Sequence, residues 1–171
     1  RRLEKWAARR SARLISVCDA MSEQYIAAGV APRKKFVTVS SGMEVEQFLN
    51  PPRSREEVRR QFGFTDEEIV IGKVARLFDL KGHDDLIAAA SQIVASCPQV
   101  RFLFVGDGLL REQLEQQIRT AGLEHHFVFA GLVPSGEVPE LIGAMDIVVH
   151  TSLREGLARV LPQGLISGKP I

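Results

Sequence analysis

The sequence predicts an α/β protein built on a doubly wound parallel sheet. Two observations carry that expectation. From residue 69 onward, short apolar runs alternate with longer helix-like segments. The apolar runs are continuous along their length, as in strands that helices cover on both faces. Alternating βα units of this kind close into a parallel sheet.

Each element has its own signal. Leu3, Trp6, Ala7, Arg10 and Leu14 fall at roughly helical spacing, so the first dozen residues read as a basic helix. Leu14 to Val17 is a short strand. Asp19 to Ala28 is a helix, with Gly29 as the residue just past its end. Lys35 to Val39 is a second strand. Ser40 to Pro52 has no periodicity and ends in Asn50-Pro51-Pro52, the signature of a linker. Ser54 with Glu57 three positions later forms a capping box, and the helix it starts runs to about Gln61. Strands follow at 69–75, 100–105, 127–129 and 147–150. Helices follow at 84–95, 109–120, 137–143 and 158–167. Residues 1–39 therefore read as the end of one domain, 40–53 as a linker and 54–171 as a second domain. The chain starts without Met inside a helix and stops in Gly168-Lys169-Pro170-Ile171, where a strand should begin. A piece of a longer protein, open at both ends, is expected.

Composition narrows the class. The chain has 171 residues, of which 45% are hydrophobic and 25% charged, an ordinary balance for a soluble domain. The formal net charge of +1 creates no global field that would steer it to nucleic acid. The charge is uneven. Residues 1–13 carry +5, so the remainder is near −4. The basic first helix, with Trp6 among its arginines, is either a domain surface or a peripheral contact to an anionic membrane face. Cys18 and Cys97 lie far apart with no paired neighbours, which excludes a Cys-x-x-Cys motif. They read as two buried thiols in a reducing compartment, hence a cytoplasmic protein. No apolar run approaches the ~20 residues of a membrane span. The basic start is not followed by the apolar core of a signal peptide.

Four segments bear chemistry. The first is Val74 to Leu86, in which a strand ends, a loop carries Arg76 and Lys81, and Gly82 opens a helix. A helix start offers free N–H groups and about half a positive charge. Arg adds a planar fork for phosphate oxygens and Lys a mobile point charge. The pair reads either as a diphosphate clamp or as two solvated cations. His83, Asp84 and Asp85 read as first-turn residues of that helix. The second segment is Gly106-Asp107-Gly108, part of a dinucleotide fingerprint whose third glycine is replaced by Arg111. It is a tight strand-to-helix turn or the wall of a nucleotide pocket. The third is Gly131-Leu132-Val133, where glycine would let the backbone approach a flat ligand, or simply let the strand exit. The fourth runs from Glu155 to Ile171. An acidic residue follows an apolar strand, Gly156 comes next, and the amides of Leu157, Ala158 and Arg159 precede or open a helix. Ligands of open α/β sheets bind outside the carboxyl ends of the strands, where Glu155 falls.

Taken together these motifs resemble a known family. Arg-Leu-x(3)-Lys-Gly at 76–82, Val-Gly-Asp-Gly-x-Leu-Arg at 105–111, Phe-x-Gly-x-Val at 129–133 and Arg-Glu-Gly-x(7)-Gly-x(2)-Ser-Gly-Lys-Pro at 154–170 stand in order. In that order and spacing they look like the donor-binding half of a family 4 glycosyltransferase, also called glycosyl transferases group 1, with the GT-B fold. Ser41-Gly42-Met43-Glu44 resembles the family's Asn-Gly-Val-Asp hinge segment, with Ser for Asn and Glu for Asp.

The resemblance implies a Rossmann-like donor domain plus a remnant of an N-terminal, acceptor-side domain. The implied activity is a retaining, metal-independent hexosyl transfer from a nucleotide diphosphate sugar, with no cofactor and no bound metal. Arg76 and Lys81 would neutralise the diphosphate and Glu155 would bind the donor sugar. Amides from Gly156 through Leu157, Ala158 and Arg159 to Val160 would hold sugar and phosphate. The backbone of Gly131, Leu132 and Val133 would meet the base. A UDP or GDP sugar is the implied donor, and a glycan or lipid-linked acceptor would be held by the missing domain. Such enzymes serve carbohydrate or lipopolysaccharide biosynthesis. One position departs from the pattern. The family has Glu-x(7)-Glu, with the second Glu on the ribose diol, and here that position is Gln163. A nucleotide-sugar epimerase of the same build, or a non-catalytic nucleotide-sugar-binding module, would share most of these motifs.

Overall fold

The computed structural model describes all residues, 1–171. It is an α/β protein with parallel sheets, and it divides into two compact units. Residues 1–43 with 155–158 form the first unit, and residues 44–154 with 159–171 form the second.

The first unit holds α1 (Arg2–Arg10), β1 (Leu14–Ser16), α2 (Asp19–Ala27) and β2 (Phe36–Thr38). The two strands pair in parallel, Leu14 against Phe36 through Ser16 against Thr38. Gly29, at φ +64, takes the left-handed turn that ends α2, as its place in the sequence predicts. Lys35 closes the other helix: its Nζ donates to the carbonyls of Ala8 at 2.7 Å and Ser11 at 2.8 Å, near the negative end of α1.

The second unit begins with α3 (Glu46–Leu49), a single turn inside the stretch expected to be linker. It forms because Phe48 has somewhere to go: its ring is buried in the core of this unit. In α4 (Arg55–Gln61) the capping box is present in full. Ser54 Oγ accepts from the Glu57 N–H at 3.2 Å, and the Glu57 carboxylate accepts from the Ser54 N–H at 2.9 Å.

Four parallel strands follow, with helices between them. They are β3 (Ile69–Val74), α5 (His83–Ser96), β4 (Val100–Val105), α6 (Arg111–Thr120), β5 (Phe127–Gly131), α7 (Val138–Ala144), β6 (Ile147–Val148) and α8 (Val160–Ile166). The strand order is β5-β4-β3-β6. The chain thus builds outward from β3 through β4 to β5, then crosses back to lay β6 on the other side of β3.

The strand period of two sorts the core into two layers. Phe102 and Phe104 of β4 face a cluster with Leu86, Ile87 and Ala90 of α5 and Leu114 and Ile118 of α6. Leu103 and Val105 face the opposite cluster, with Val58 of α4, Leu141 and Ile142 of α7 and Val160 of α8. Helices on both faces are what the continuous apolar strands predict, and the domain is Rossmann-like. Within β3 one charge interrupts the apolar pattern: Lys73 is 1% exposed.

A carboxylate locks β3 to the helical layer. Asp146 Oδ2 accepts from the Val70 N–H at 2.7 Å and from Arg59 Nη1 at 3.2 Å, and its Oδ1 accepts from Arg55 Nη2 at 2.5 Å. Burial alone would raise the Asp146 pKa, but the Val70 N–H and the two guanidinium groups outweigh it and hold the carboxyl below its ordinary value.

Candidate functional site

In an open parallel sheet the strand order reverses at one place, and loops from the two flanking strands splay apart there to leave a crevice. Here that place lies between β3 and β6. The loops on either side are 75–82 and 149–154.

The β3 exit carries both predicted phosphate cations. Ala75 still follows the strand, its N–H donating to the Val105 carbonyl at 3.0 Å. Leu77, fully buried, pins the loop, and its N–H donates to the Asp107 carbonyl at 3.0 Å. On either side of that pin the cations stay accessible. Arg76 is exposed, with its guanidinium 5.2 Å from the centre of the Phe78 ring. Lys81 is half-buried. Between them Leu80 takes a left-handed backbone, φ +67, which a leucine adopts only when its surroundings impose it. Gly82, at φ +64 and ψ +39, then opens α5.

The first turn of α5 differs from expectation at His83. Asp84 and Asp85 are exposed, as first-turn acids should be. His83 points inward instead. It is 1% exposed and meets the Phe104 ring edge-on at 5.3 Å. Neither ring nitrogen has a hydrogen-bond partner. Burial, then the positive charge of Lys73, push its pKa down to about 4; Asp84 pulls the other way, and Lys81 adds a smaller push down. The ring is neutral at physiological pH.

The neighbouring exits complete this edge of the sheet. Gly106 and Gly108 let the β4 exit lie flat on the β3 exit. A Cβ on Gly106 would come within 3.0 Å of the Ala75 carbonyl, and one on Gly108 within 3.0 Å of the Leu77 carbonyl and the Phe78 ring. Asp107 Oδ1 accepts from the Gly108 N–H at 2.8 Å, so the partial fingerprint forms a tight turn. Gly131 ends β5 at φ +73 with open space where a Cβ would stand. Leu132 is 80% exposed, while Val133 tucks against the core.

Beyond β6 the strand is shorter than predicted. Only Ile147 and Val148 pair, and Val149 adds one bond to the Gly72 carbonyl at 2.8 Å. Thr151 and Leu153 then turn towards the 78–82 loop: the Leu153 N–H donates to the Leu80 carbonyl at 2.9 Å. Helix α8 begins at Val160, two residues later than the sequence predicts, with Arg159 at its cap. The amides of Leu157 to Arg159 therefore sit in irregular chain ahead of the helix. Gln163 is half-buried in the first turn of α8. Its neighbour Gly164 lets the helix lie close on β6, where a Cβ would be 3.2 Å from Val148 Cγ2.

Residues 155–158 group with the first unit. Glu155 is exposed there. Gly156 packs so tightly on α2 that a Cβ would come within 3.0 Å of Met21 Cε, and its carbonyl accepts from Cys18 Sγ at 3.0 Å.

The structure thus brings Arg76, Lys81, Gly131, Leu132 and Val133 onto the carboxyl edge of one sheet, with Gln163 on the helix that follows β6. Glu155 to Ala158 belong to the other unit. Two residues of the β3–β6 crevice had no place in the sequence reading, Lys73 and Thr151. The signal for Lys73 was present, a lone charge inside an apolar strand.

A parallel sheet of this order, with cationic loops at its switch point, defines a Rossmann-like α/β domain of the kind that takes ligands at the strand ends. Residues 54–171 match the family model of the glycosyl transferases group 1, and the chain belongs to that family. It is 28% identical to the 2-deoxystreptamine glucosyltransferase of Streptomyces kanamyceticus over 170 residues, covering 99% of this chain and 44% of that protein. It is 30% identical to a GDP-mannose-dependent alpha-mannosyltransferase of Mycobacterium tuberculosis, covering 93% of this chain and 38% of that protein. The crystal structure of Anabaena Alr3699/HepE in complex with UDP and glucose superposes with a TM-score of 0.87 at 32% identity. It covers 99% of this chain and 46% of that one. The chain spans less than half the length of the relatives it matches. No helix is long and apolar enough to cross a membrane.

Proposed function

We propose that the chain is the donor-binding part of a retaining, metal-independent family 4 glycosyltransferase of the GT-B type, transferring a hexose from a nucleotide diphosphate sugar. The observation that carries this reading is the β3 exit. Two accessible cations, Arg76 and Lys81, flank the switch point of the sheet, and α5 starts immediately after them. The 32% identity to a protein solved with UDP and glucose supports the donor class. The named relatives, a glucosyltransferase and a mannosyltransferase, support a hexose.

In this reading Arg76 and Lys81 neutralise the diphosphate as it leaves, with the amides of the α5 start. Such preorganised positive charge supplies what a divalent cation supplies elsewhere, which is the basis for proposing a metal-independent reaction without a cofactor. Glu155 accepts hydrogen bonds from sugar hydroxyls, and the amides of Gly156, Leu157, Ala158, Arg159 and Val160 hold sugar and phosphate. The backbone of Gly131 to Val133 meets the base, and Gln163 faces the ribose. Residues 1–39 are assigned to the acceptor side, 40–53 to the hinge and 54–171 to the donor domain. The acceptor, a glycan or a lipid-linked sugar, is assigned to parts of the protein outside these residues. The two thiols are free and half-buried, which suits the cytoplasm. The basic α1, with Trp6 57% exposed, suits a peripheral contact at the inner membrane face.

Calorimetric titration of the chain with UDP, GDP and ADP tests the reading. Saturable binding of one of them is expected. Absence of binding by all three would refute it.

A further inference from the structure

Lys73 is buried in β3, on the same strand face as Ile71, where an ammonium group is tolerated only with close partners. Its Nζ donates to Thr151 Oγ1 at 2.6 Å. An ammonium group has no lone pair, so the direction of this bond is fixed. Thr151 accepts from Lys73 and must aim its single hydrogen elsewhere. It donates to the Gly82 carbonyl, with the Lys81 carbonyl 3.3 Å away. A directed chain therefore runs from Lys73 through Thr151 to the turn that carries Lys81.

That turn needs holding. Leu80 and Gly82 both have left-handed backbones, and Lys81 lies between them. The Leu153 N–H adds a second tie, to the Leu80 carbonyl. The charges of Lys73 and, more weakly, Lys81 both act on His83, the first residue of α5.

We propose that Lys73 and Thr151 are positioning residues of the diphosphate site: Lys73 fixes the Thr151 hydroxyl, and that hydroxyl holds the Lys81–Gly82 turn in its binding geometry. The proposal rests on the donor-binding reading above. Thr151→Val keeps the shape and removes the hydroxyl, and Thr151→Ser keeps the hydroxyl. Lys73→Met leaves the Thr151 hydrogen free to turn away.

The test is calorimetric titration of the chain and these variants with UDP and GDP, beside a thermal melt of each. Thr151→Val and Lys73→Met should weaken nucleotide affinity about tenfold while remaining folded, and Thr151→Ser should stay within about twofold of the parent. In a Lys81→Met background, Thr151→Val should add almost nothing, because both changes act on one contact. If Thr151→Val melts below the assay temperature, Lys73→Met, alone and in the Lys81→Met background, is read under the same criteria. Unchanged affinity in Thr151→Val, or an equal loss in both backgrounds, would overturn the proposal and leave the donor reading standing. A parent chain that binds neither UDP nor GDP, nor ADP, would overturn both.

Discussion

Gly82 lies directly against the Thr151 backbone, so close that a Cβ at residue 82 would come within 3.0 Å of the Thr151 carbonyl oxygen. Its φ of +64 adds a second obstacle to any side chain. Gly82→Ala should therefore cost at least ~2 kcal/mol, from left-handed backbone and steric displacement together. For a chain of this size that is a fall of at least ~4 °C in melting temperature. A scanning calorimetry trace that matched the parent would mean the two loops are not in contact.

Asp146 should be the most sensitive carboxylate for stability. Arg59 is 1% exposed, and Asp146 is the carboxylate it meets, at 3.2 Å. Asp146→Asn removes the charge and leaves that guanidinium unbalanced, at a cost of about 2–4 kcal/mol. The urea midpoint should fall accordingly. Because the Asp146 pKa is held down in the folded state, its contribution is complete at neutral pH. It should be lost only as pH drops below the ordinary aspartate value of 3.8.

His83 gives a second, higher window. Its folded pKa of about 4 lies below the ordinary 6.5, so the unfolded chain binds the proton more tightly. Stability is full above pH 6.5 and declines as pH falls towards 4. Between pH 7.5 and pH 5 the loss from this one ring should be about 2 kcal/mol. His83→Leu should flatten that part of the profile by the same amount. Thermal melts of parent and variant at the two pH values decide it; parallel profiles would show that the ring does not titrate in this way.

Gln163 should be a weak point of donor affinity. A carboxylate accepts from two ribose hydroxyls with charge assistance, whereas an amide oxygen is the weaker acceptor. Gln163→Glu should tighten UDP or GDP binding by roughly fivefold to tenfold, about 1 kcal/mol. No change on that substitution would mean that the residue does not face the ribose.

Much of this was legible in the sequence because the signals are local. The capping box at Ser54 and Glu57, the left-handed Gly29 and the apolar strands of the parallel sheet each depend on residues a few positions apart. Strand order was not legible, since the placement of β6 beside β3 is settled by side chains far apart in sequence, such as Asp146 on Val70. The turn of helix at 46–49 escaped for the same reason: Phe48 is ordered by a core assembled from later residues. The cations proposed for the diphosphate stand out in their loop, but the contacts that hold the loop do not. Lys73 stands out as a lone charge in its apolar strand, but only the fold puts Thr151, 78 positions away, against it. His83 read as a first-turn residue because the spacing could not say that its ring turns in to Phe104.

The central claim is that Arg76 and Lys81 bind the diphosphate of a nucleotide-sugar donor. It is tested most directly by titrating UDP and GDP into the parent chain and into the Arg76→Met, Lys81→Met double variant, with uridine and guanosine as controls. The parent should bind one diphosphate, and the double variant should lose at least ~100-fold in affinity for it, with nucleoside binding unchanged. Equal diphosphate affinity in parent and double variant would contradict the claim.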